Sequence, residues 1–335
     1  MIRIAVDAMG GDRGPETILE GALDAAREGG LSLSLVGDER RLRGLLADAG
    51  GPGPLDVAIV HADDVVGMGE PPTAALRRRP GASIRVAASE VASGRAAALF
   101  SAGNTGATVM AAHAAFGMIS GADRPALAAI VPTRQSPAVL LDVGANAECR
   151  PQHLVQFATM GAVYARLALG VERPRVGLLS IGEEETKGND LTREAHQLLK
   201  AGGLDFIGNI EARQVYAGGA DVIVCDGFTG NIALKVSEGL VELMGQLLRD
   251  GVARLGPELA PAVGAVLFDR FERRVDDAEY GAVPLLGVAG LALIGHGRSS
   301  AKAVRQGILA AGRFASAGFI ARLQQEIAAA GETHR

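Results

Sequence analysis

One pattern constrains this chain more than any other. Short apolar runs ending in Gly, Asp, Ser or Asn alternate with stretches of helical spacing over most of its 335 residues. Ile2–Val6, Leu31–Val36, Leu55–Val60, Ala96–Phe100, Leu127–Val131, Ala138–Leu141, Arg175–Ile181, Leu204–Ile207 and Asp221–Cys225 read as strands. Pro15–Glu28, Glu39–Ala49, Ser83–Ser93, Asn104–Ile119, Pro151–Leu169, Leu191–Ala201 and Thr229–Arg249 read as helices. Strands separated by helices predict an α/β fold, a doubly wound and mainly parallel sheet with helices on both faces. No linker-like or low-complexity tract divides the chain, since Gly50–Pro54 is short enough for an ordinary connection. Residues 1–335 therefore read as a single α/β domain.

From Val241 to Val275 the alternation stops and helical sequence continues without a strand. Residues 241–275 are expected to form a helical extension within the domain. Its apolar positions Leu255, Leu259, Val263, Val266, Leu267 and Phe268 would be covered by the same chain, a dimer partner, an acyl chain or a membrane surface. No run approaches the roughly 18 to 20 apolar residues of a membrane span. The first strand begins at Ile2, so no signal peptide is expected before the fold. A net charge of -5 excludes a broadly basic nucleic-acid-binding face. Cys149 and Cys225 are too few for a disulfide framework and lack metal-ligand spacing, which fits a cytoplasmic protein.

Gly 46 is about twice the usual share. Many of these glycines sit where a doubly wound sheet binds ligands, just beyond the carboxyl ends of strands. Five such loops stand out: Asp7-Ala8-Met9-Gly10-Gly11-Asp12, Ser101-Ala102-Gly103-Asn104-Thr105-Gly106, Asp142-Val143-Gly144-Ala145-Asn146, Gly182 to Asp190, and Asp226-Gly227-Phe228-Thr229-Gly230-Asn231. Any one of them is an ordinary capped turn. Together, on one expected edge, their small residues, hydroxyls and amides suit an anion, above all phosphate.

No standard nucleotide or catalytic signature accompanies them. The chain lacks G-x-x-x-x-G-K-[ST], G-x-G-x-x-G after the first strand, and G-x-S-x-G. Gly295-His296-Gly297 before Arg298 and Ser299 imitates part of such a motif and reads more simply as a helix-entry turn. His61, His113, His153, His196, His296 and His334 are scattered without metal spacing, so no metal or cofactor is expected. Only Lys187, Lys200, Lys235 and Lys302 are lysines. Lys187 has two readings. It is either a solvated loop lysine balanced by Glu183, Glu184 and Glu185, or a cation positioned for phosphate or a developing oxyanion.

The loops in this order resemble the bacterial phosphate:acyl-[acyl-carrier-protein] acyltransferase family. The resemblance runs from Ile4 to Asp12, through the Ser101 and Asp142 loops, Lys187-Gly188-Asn189, Phe206 to Arg213 and the Asp226 loop, to Tyr280-Gly281 and the Gly295-His296-Gly297 turn. Arg13, where the family commonly has His, and Ala282-Val283, where it usually has a Gly-Gly-Ala-type run, depart from the pattern.

The resemblance implies a fold similar to phosphotransacetylases and isocitrate-type dehydrogenases. It also implies transfer of a long-chain acyl group from acyl carrier protein to inorganic phosphate, for phospholipid synthesis. A homodimer at the inner face of the cell membrane follows, with no cofactor, passing acyl phosphate to a membrane acyl-phosphate:glycerol-3-phosphate acyltransferase. Lys187 and Asn231 are then the expected catalytic residues. Ser101, Gly103, Asn104, Thr105 and Gly106 would shape the phosphate cradle, with Gly10, Gly11, Gly144 and Asn146 beside it. Asn189, Gly227 and Thr229 would bind substrate, and Asp7, Asp12, Asp142 and Asp226 would orient loops rather than act as bases. Arg77-Arg78-Arg79 is either a docking patch for the acidic carrier protein or a solvated helix end.

Three rivals remain at this stage. They are a phosphotransacetylase acting on short-chain acyl-CoA, a metal-dependent decarboxylating dehydrogenase, and a non-catalytic regulator that binds acyl carrier protein.

Overall fold

A computed structural model describes residues 1–275 and 281–333. Tyr280 and His334 lie outside them. The first half winds β1 (Arg3–Asp7), α1 (Gly14–Gly29), β2 (Ser32–Gly37), α2 (Glu39–Asp48), β3 (Val57–His61), α3 (Pro72–Arg78), α4 (Ser83–Ala92), β4 (Ala98–Ser101) and α5 (Thr105–Phe116). There follow β5 (Ala126–Val131), β6 (Ala138–Leu141), α6 (Pro151–Tyr164), β7 (Arg175–Ser180), α7 (Asp190–Ala201), β8 (Asp205–Glu211) and β9 (Val222–Val224). Then come α8 (Gly227–Ala253), α9 (Gly256–Val275), β10 (Val283–Leu286), β11 (Ala292–Ile294), α10 (Ala301–Ser316) and α11 (Phe319–Thr333).

All eleven strands form one sheet in the order β3-β2-β1-β4-β11-β10-β5-β6-β9-β7-β8. Side chains alternate across it as strand geometry requires. Ile4, Val6, Leu33, Leu35, Ala98 and Phe100 join the core under α1, α6, α7, α10 and α11. Ala5, Val36 and Leu99 join the core under α3, α4 and α5 on the other face. The sheet is mostly parallel, and its three antiparallel ladders are β11–β10, β10–β5 and β5–β6.

Those ladders change one expectation. β5 runs in the direction of β1 and β4, but β6 is antiparallel to it, and β9, β7 and β8 follow β6. The carboxyl ends of β1, β4 and β11 thus lie at one edge, and those of β6, β7 and β9 at the opposite one. The five glycine loops form two groups instead of a single row.

The nine expected strands all occur, Ala138–Leu141 with the expected bounds and the others with shifted ends. β10 and β11 were not legible, being four and three residues long in a Gly-rich stretch, with Pro284 inside β10. The expected extension proves to be two helices, α8 and α9, parted at Arg254–Leu255 with Gly256 at a φ of 77°. Along α8, Phe228, Ile232, Val236, Leu240, Leu243 and Leu247 are all exposed. Their spacing of three and four residues places them on one side of the helix. In α9 and the turn before it, Leu255, Leu259, Val266 and Leu267 are also exposed.

Candidate functional site

The first loop group is built on β1 and β4. Asp7 ends β1 wholly inside the protein, and the Ser101 hydroxyl donates to its Oδ2 at 2.8 Å. Oδ1 has no hydrogen-bond partner. Burial pushes the Asp7 carboxyl above the usual aspartate range, and facing hydroxyls and amides oppose this only in part. Ser101 Oγ also accepts from the Gly103 amide at 3.0 Å. Gly10 and Gly103 pack backbone to backbone there: a Cβ on Gly10 would lie 2.8 Å from Gly103 Cα and 2.9 Å from Asp7 Oδ2.

Asn104 caps α5, its Oδ1 accepting from Ala107 N at 3.0 Å, while its Nδ2 donates to the carbonyls of Gly67, Met68 and Glu70. Thr105 is exposed at the helix start, and Gly106 packs closely on Pro72 of α3. A third loop, after β11, completes this group. Gly295 N donates to Ser101 O at 2.8 Å, and Asp12 N donates to Gly297 O at 2.8 Å, which fixes the intervening His296. Gly11, with a φ of 102°, packs on that same Gly297 carbonyl.

The second group is organised by Asp142. Its Oδ1 accepts from the amides of Leu127, Gly144 and Ala145, and its Oδ2 from Asn146 N and Nδ2. Burial raises this carboxyl as well, against those bonds. Asn146 Nδ2 donates further to Pro125 O at 2.6 Å. The Asp226 loop packs directly on this turn. Gly227 N donates to Asn146 O, and a Cβ on Gly230 would stand 1.9 Å from Asp142 O. Asp226 caps α8 through the amide and hydroxyl of Thr229.

Asn231 is exposed over Gly144, its Cγ 3.7 Å from where a Cβ there would sit. The Lys187 loop follows β7, which pairs with β9, so it opens on the same edge. Asn189 caps α7 by accepting from Thr192 N at 2.9 Å. The buried Ser180 Oγ points at Gly188 and has no partner, a feature invisible in the sequence.

The polar atoms of the two groups divide by use. Those of Asp142, Asn146, Asn104, Asp226 and Asn189 hold backbone, and the Thr229 hydroxyl donates to Asp226. Among the described residues, the side chains of Lys187, Asn231 and Thr105 have no hydrogen-bond partner. Of the acids near Lys187, Glu185 pairs with Lys200, and Glu183 accepts from Gln214 Nε2 at 3.0 Å and lies 3.7 Å from Arg213, while the Glu184 carboxylate lies against Gly182 as the Lys187 side chain does. Among the described residues no hydrogen bond or ion pair joins Lys187 to Asn231, whose loops follow the neighbouring strands β7 and β9.

Two thiols flank the second group. Cys225 Sγ donates to Asp142 O and Cys149 Sγ to Asn146 O. Burial, reinforced by the charges of Asp142 and Asp226, pushes the Cys149 thiol up to about 12 and holds Cys225 well above its ordinary value. Neither is a thiolate at neutral pH, so neither is primed as a nucleophile.

The link between the two groups was missed in the sequence. α8 starts in the second group and crosses to the first: Lys235, one turn beyond Asn231, places its Nζ 2.7 Å from His296 Nε2 and 2.8 Å from Glu238 Oε2. Arg298 N donates to His296 Nδ1 at 3.2 Å, and Arg298 pairs with Glu242 of α8 at 3.8 Å. The only sequence signal was the Gly295-His296-Gly297 turn, and nothing local pointed to Lys235. Arg77 and Arg78 end α3 in the open beside this group, whereas Arg79 is tied to Glu70 and Val65 O.

Comparison with known proteins matches residues 2–322 to the family described as fatty acid synthesis protein. The phosphate acyltransferase of Acidobacterium capsulatum is 48% identical over 335 residues, covering 99% of this chain and 98% of that protein. That of Geobacter sulfurreducens is 48% identical over 327 residues, covering 97% and 94%. Among solved structures, a phosphotransacetylase from Streptococcus pyogenes superposes with a TM-score of 0.65 at 17% identity, covering 95% and 94% of the two chains. A branched-chain phosphotransacylase from Enterococcus faecalis gives 0.55 at 14% identity, covering 97% and 99%. These two show a shared fold.

Proposed function

The chain belongs to the fatty acid synthesis protein family, with phosphate acyltransferases as close relatives, and on that premise we propose that it moves a long-chain fatty acyl group from acyl carrier protein to inorganic phosphate. Bound hydrogen phosphate attacks the thioester directly. The new bond joins a phosphate oxygen to the carbonyl carbon, the carbon–sulfur bond breaks, and the phosphate proton ends on the departing thiol. A thioester needs little activation, because its thiol leaves with a pKa of about 8.5. The work left to the protein is to hold and aim phosphate and to stabilise the oxyanion, each well-placed donor contributing roughly 3 kcal/mol.

The observation that carries this reading is the division of polar atoms. The Asp142 and Asp226 carboxylates and the capping amides are spent on backbone, while Lys187 and Asn231 keep donors for substrate. In this reading Lys187 and Asn231 contact phosphate or the oxyanion. Ser101, Gly103, Thr105, Gly106, Gly10, Gly11 and Gly144 form the cradle walls, and Asp7, Asp12, Asp142 and Asp226 orient loops. Arg77 and Arg78, beside Gly106 through Pro72, supply a basic dock for the acidic carrier.

The apolar stripe of α8 is the surface for a second copy of the chain, and the exposed leucines of α9 the surface for peripheral contact with a membrane. Among the described residues, no helix is long and apolar enough to cross one.

The test incubates the protein with long-chain acyl-[acyl carrier protein], with and without phosphate, and traps product as the hydroxamate. Phosphate-dependent hydroxamate is expected. Its absence with the carrier substrate, together with turnover of acetyl-CoA, would transfer the chain to the short-chain phosphotransacetylases; carrier binding without turnover would make it a regulator.

A further inference from the structure

We propose that Lys235 is a second phosphate-binding cation of the site, aimed by Glu238 and His296 across the two loop groups. This deepens the acyl-to-phosphate reading and rests on it for the identity of the anion. Three observations converge. The first is position: Lys235 lies one helical turn from Asn231, which stands over Gly144 in the second group, and against His296, whose turn is bonded to the Asp12 and Ser101 loops of the first. No other lysine bridges both groups: Lys187 and Lys200 belong to the β7–α7 region alone, and Lys302 to the start of α10.

The second is geometry. An ammonium has three donors. One goes to Glu238 Oε2 at 2.8 Å and one lies 2.7 Å from His296 Nε2. The third has no partner among the described residues, and the side chain is about half exposed. The Glu238 bond and the close contact with His296 restrain a flexible side chain and leave at least one donor open to a ligand, which is how a positioned anion contact is built.

The third is charge. Hydrogen phosphate brings two negative charges to the site. When it attacks, one of those charges moves to the carbonyl oxygen while the other stays on phosphorus. Lys187 alone offsets one of them, and the glycine amides contribute only partial charges. Lys235 supplies the second cation. Glu238 and His296 are positioning residues that fix its direction.

Inorganic phosphate is the probe, by calorimetric titration of the full chain without any acyl donor. Lys235→Met is expected to weaken phosphate binding at least tenfold, and Glu238→Gln and His296→Gln a few-fold each. In turnover, the KM for phosphate should rise in the same order while the KM for the acyl donor holds. Wild-type phosphate affinity in Lys235→Met would overturn the assignment.

A second measurement uses unaltered protein, so it does not depend on the variant folding. An amine-reactive label followed by mass spectrometry should modify Lys235 more slowly in phosphate than in chloride of equal ionic strength, with Lys200 as the control. Equal labelling in both salts also overturns it. The two readings part cleanly. Lys235-dependent phosphate binding without hydroxamate formation removes the acyl transfer and keeps this site. Hydroxamate formation with an unchanged phosphate KM in Lys235→Met does the reverse.

Discussion

Asp142→Asn tests whether a single buried carboxylate builds the second loop group. Wild-type Oδ1 accepts three backbone amides and Oδ2 accepts two donors from Asn146. In the variant, the remaining amide oxygen does best in the Oδ1 place, keeping its three partners. The new NH2 group then faces the N–H and Nδ2 of Asn146, donor against donor. Two buried donors lose their acceptor at about 1–3 kcal/mol each. Asn146 cannot turn its own amide to help without giving up its 2.6 Å bond to Pro125 O. Relief of the buried charge, whose cost is visible in the raised carboxyl, offsets part of the loss.

The net expectation is a destabilisation of about 3 kcal/mol, a large part of the roughly 5–15 kcal/mol of a folded domain. Urea unfolding followed by far-ultraviolet circular dichroism measures it, since the chain has no Trp to report by fluorescence. Activity should fall further than stability, because the same turn supports Gly144 beneath Asn231 and meets Gly227 through the Asn146 carbonyl. A loss under about 1 kcal/mol would show that the five bonds do not carry the loop.

Other perturbations probe the remaining joints. Gly230→Ala sets a methyl 1.9 Å from Asp142 O and should part α8 from the Asp142 turn, costing about 2–3 kcal/mol and most of the turnover; wild-type kinetics would contradict that packing. Asp7 has a carboxyl raised above 3.8 in the folded protein, so its contribution to stability is present below that value and is lost as pH rises through the raised one. Asp7→Asn should therefore lose less stability than wild type as pH climbs above about 4 in thermal melts, and superimposable profiles would refute the burial argument. Lys187→Ala should cut kcat about a hundredfold with an unchanged melting temperature, and full activity would remove it from the site. Leu243→Glu with Leu247→Glu places charges on the exposed stripe of α8 and should convert a dimer to monomers in sedimentation; an unchanged mass would leave that face without a partner copy.

Much of the fold was legible because its cause is local. The strand from Ala138 to Leu141 and the helix from Pro151 declare themselves by apolar period, and Pro15, Pro72 and Pro151 stand where a missing N–H costs nothing. Asn104, Asn189 and Asp226 mark helix starts by the same local chemistry, each accepting from the amide three residues on. β10 and β11 were hidden because Pro284 interrupts the one and closely spaced glycines flank both, so that their short apolar runs do not separate from a loop.

The sequence by itself determined the mostly parallel sheet and the placing of small and polar residues at the ends of its strands. It could not determine which way each strand points. Side chains alternate with a period of two in either direction, so the reversal between β5 and β6 leaves no trace in composition or period. That reversal divides the five loops into two groups. Only the tertiary structure then brings Lys235 to His296 across 61 residues of chain, because a contact made by crossing strands and helices depends on the whole path between them.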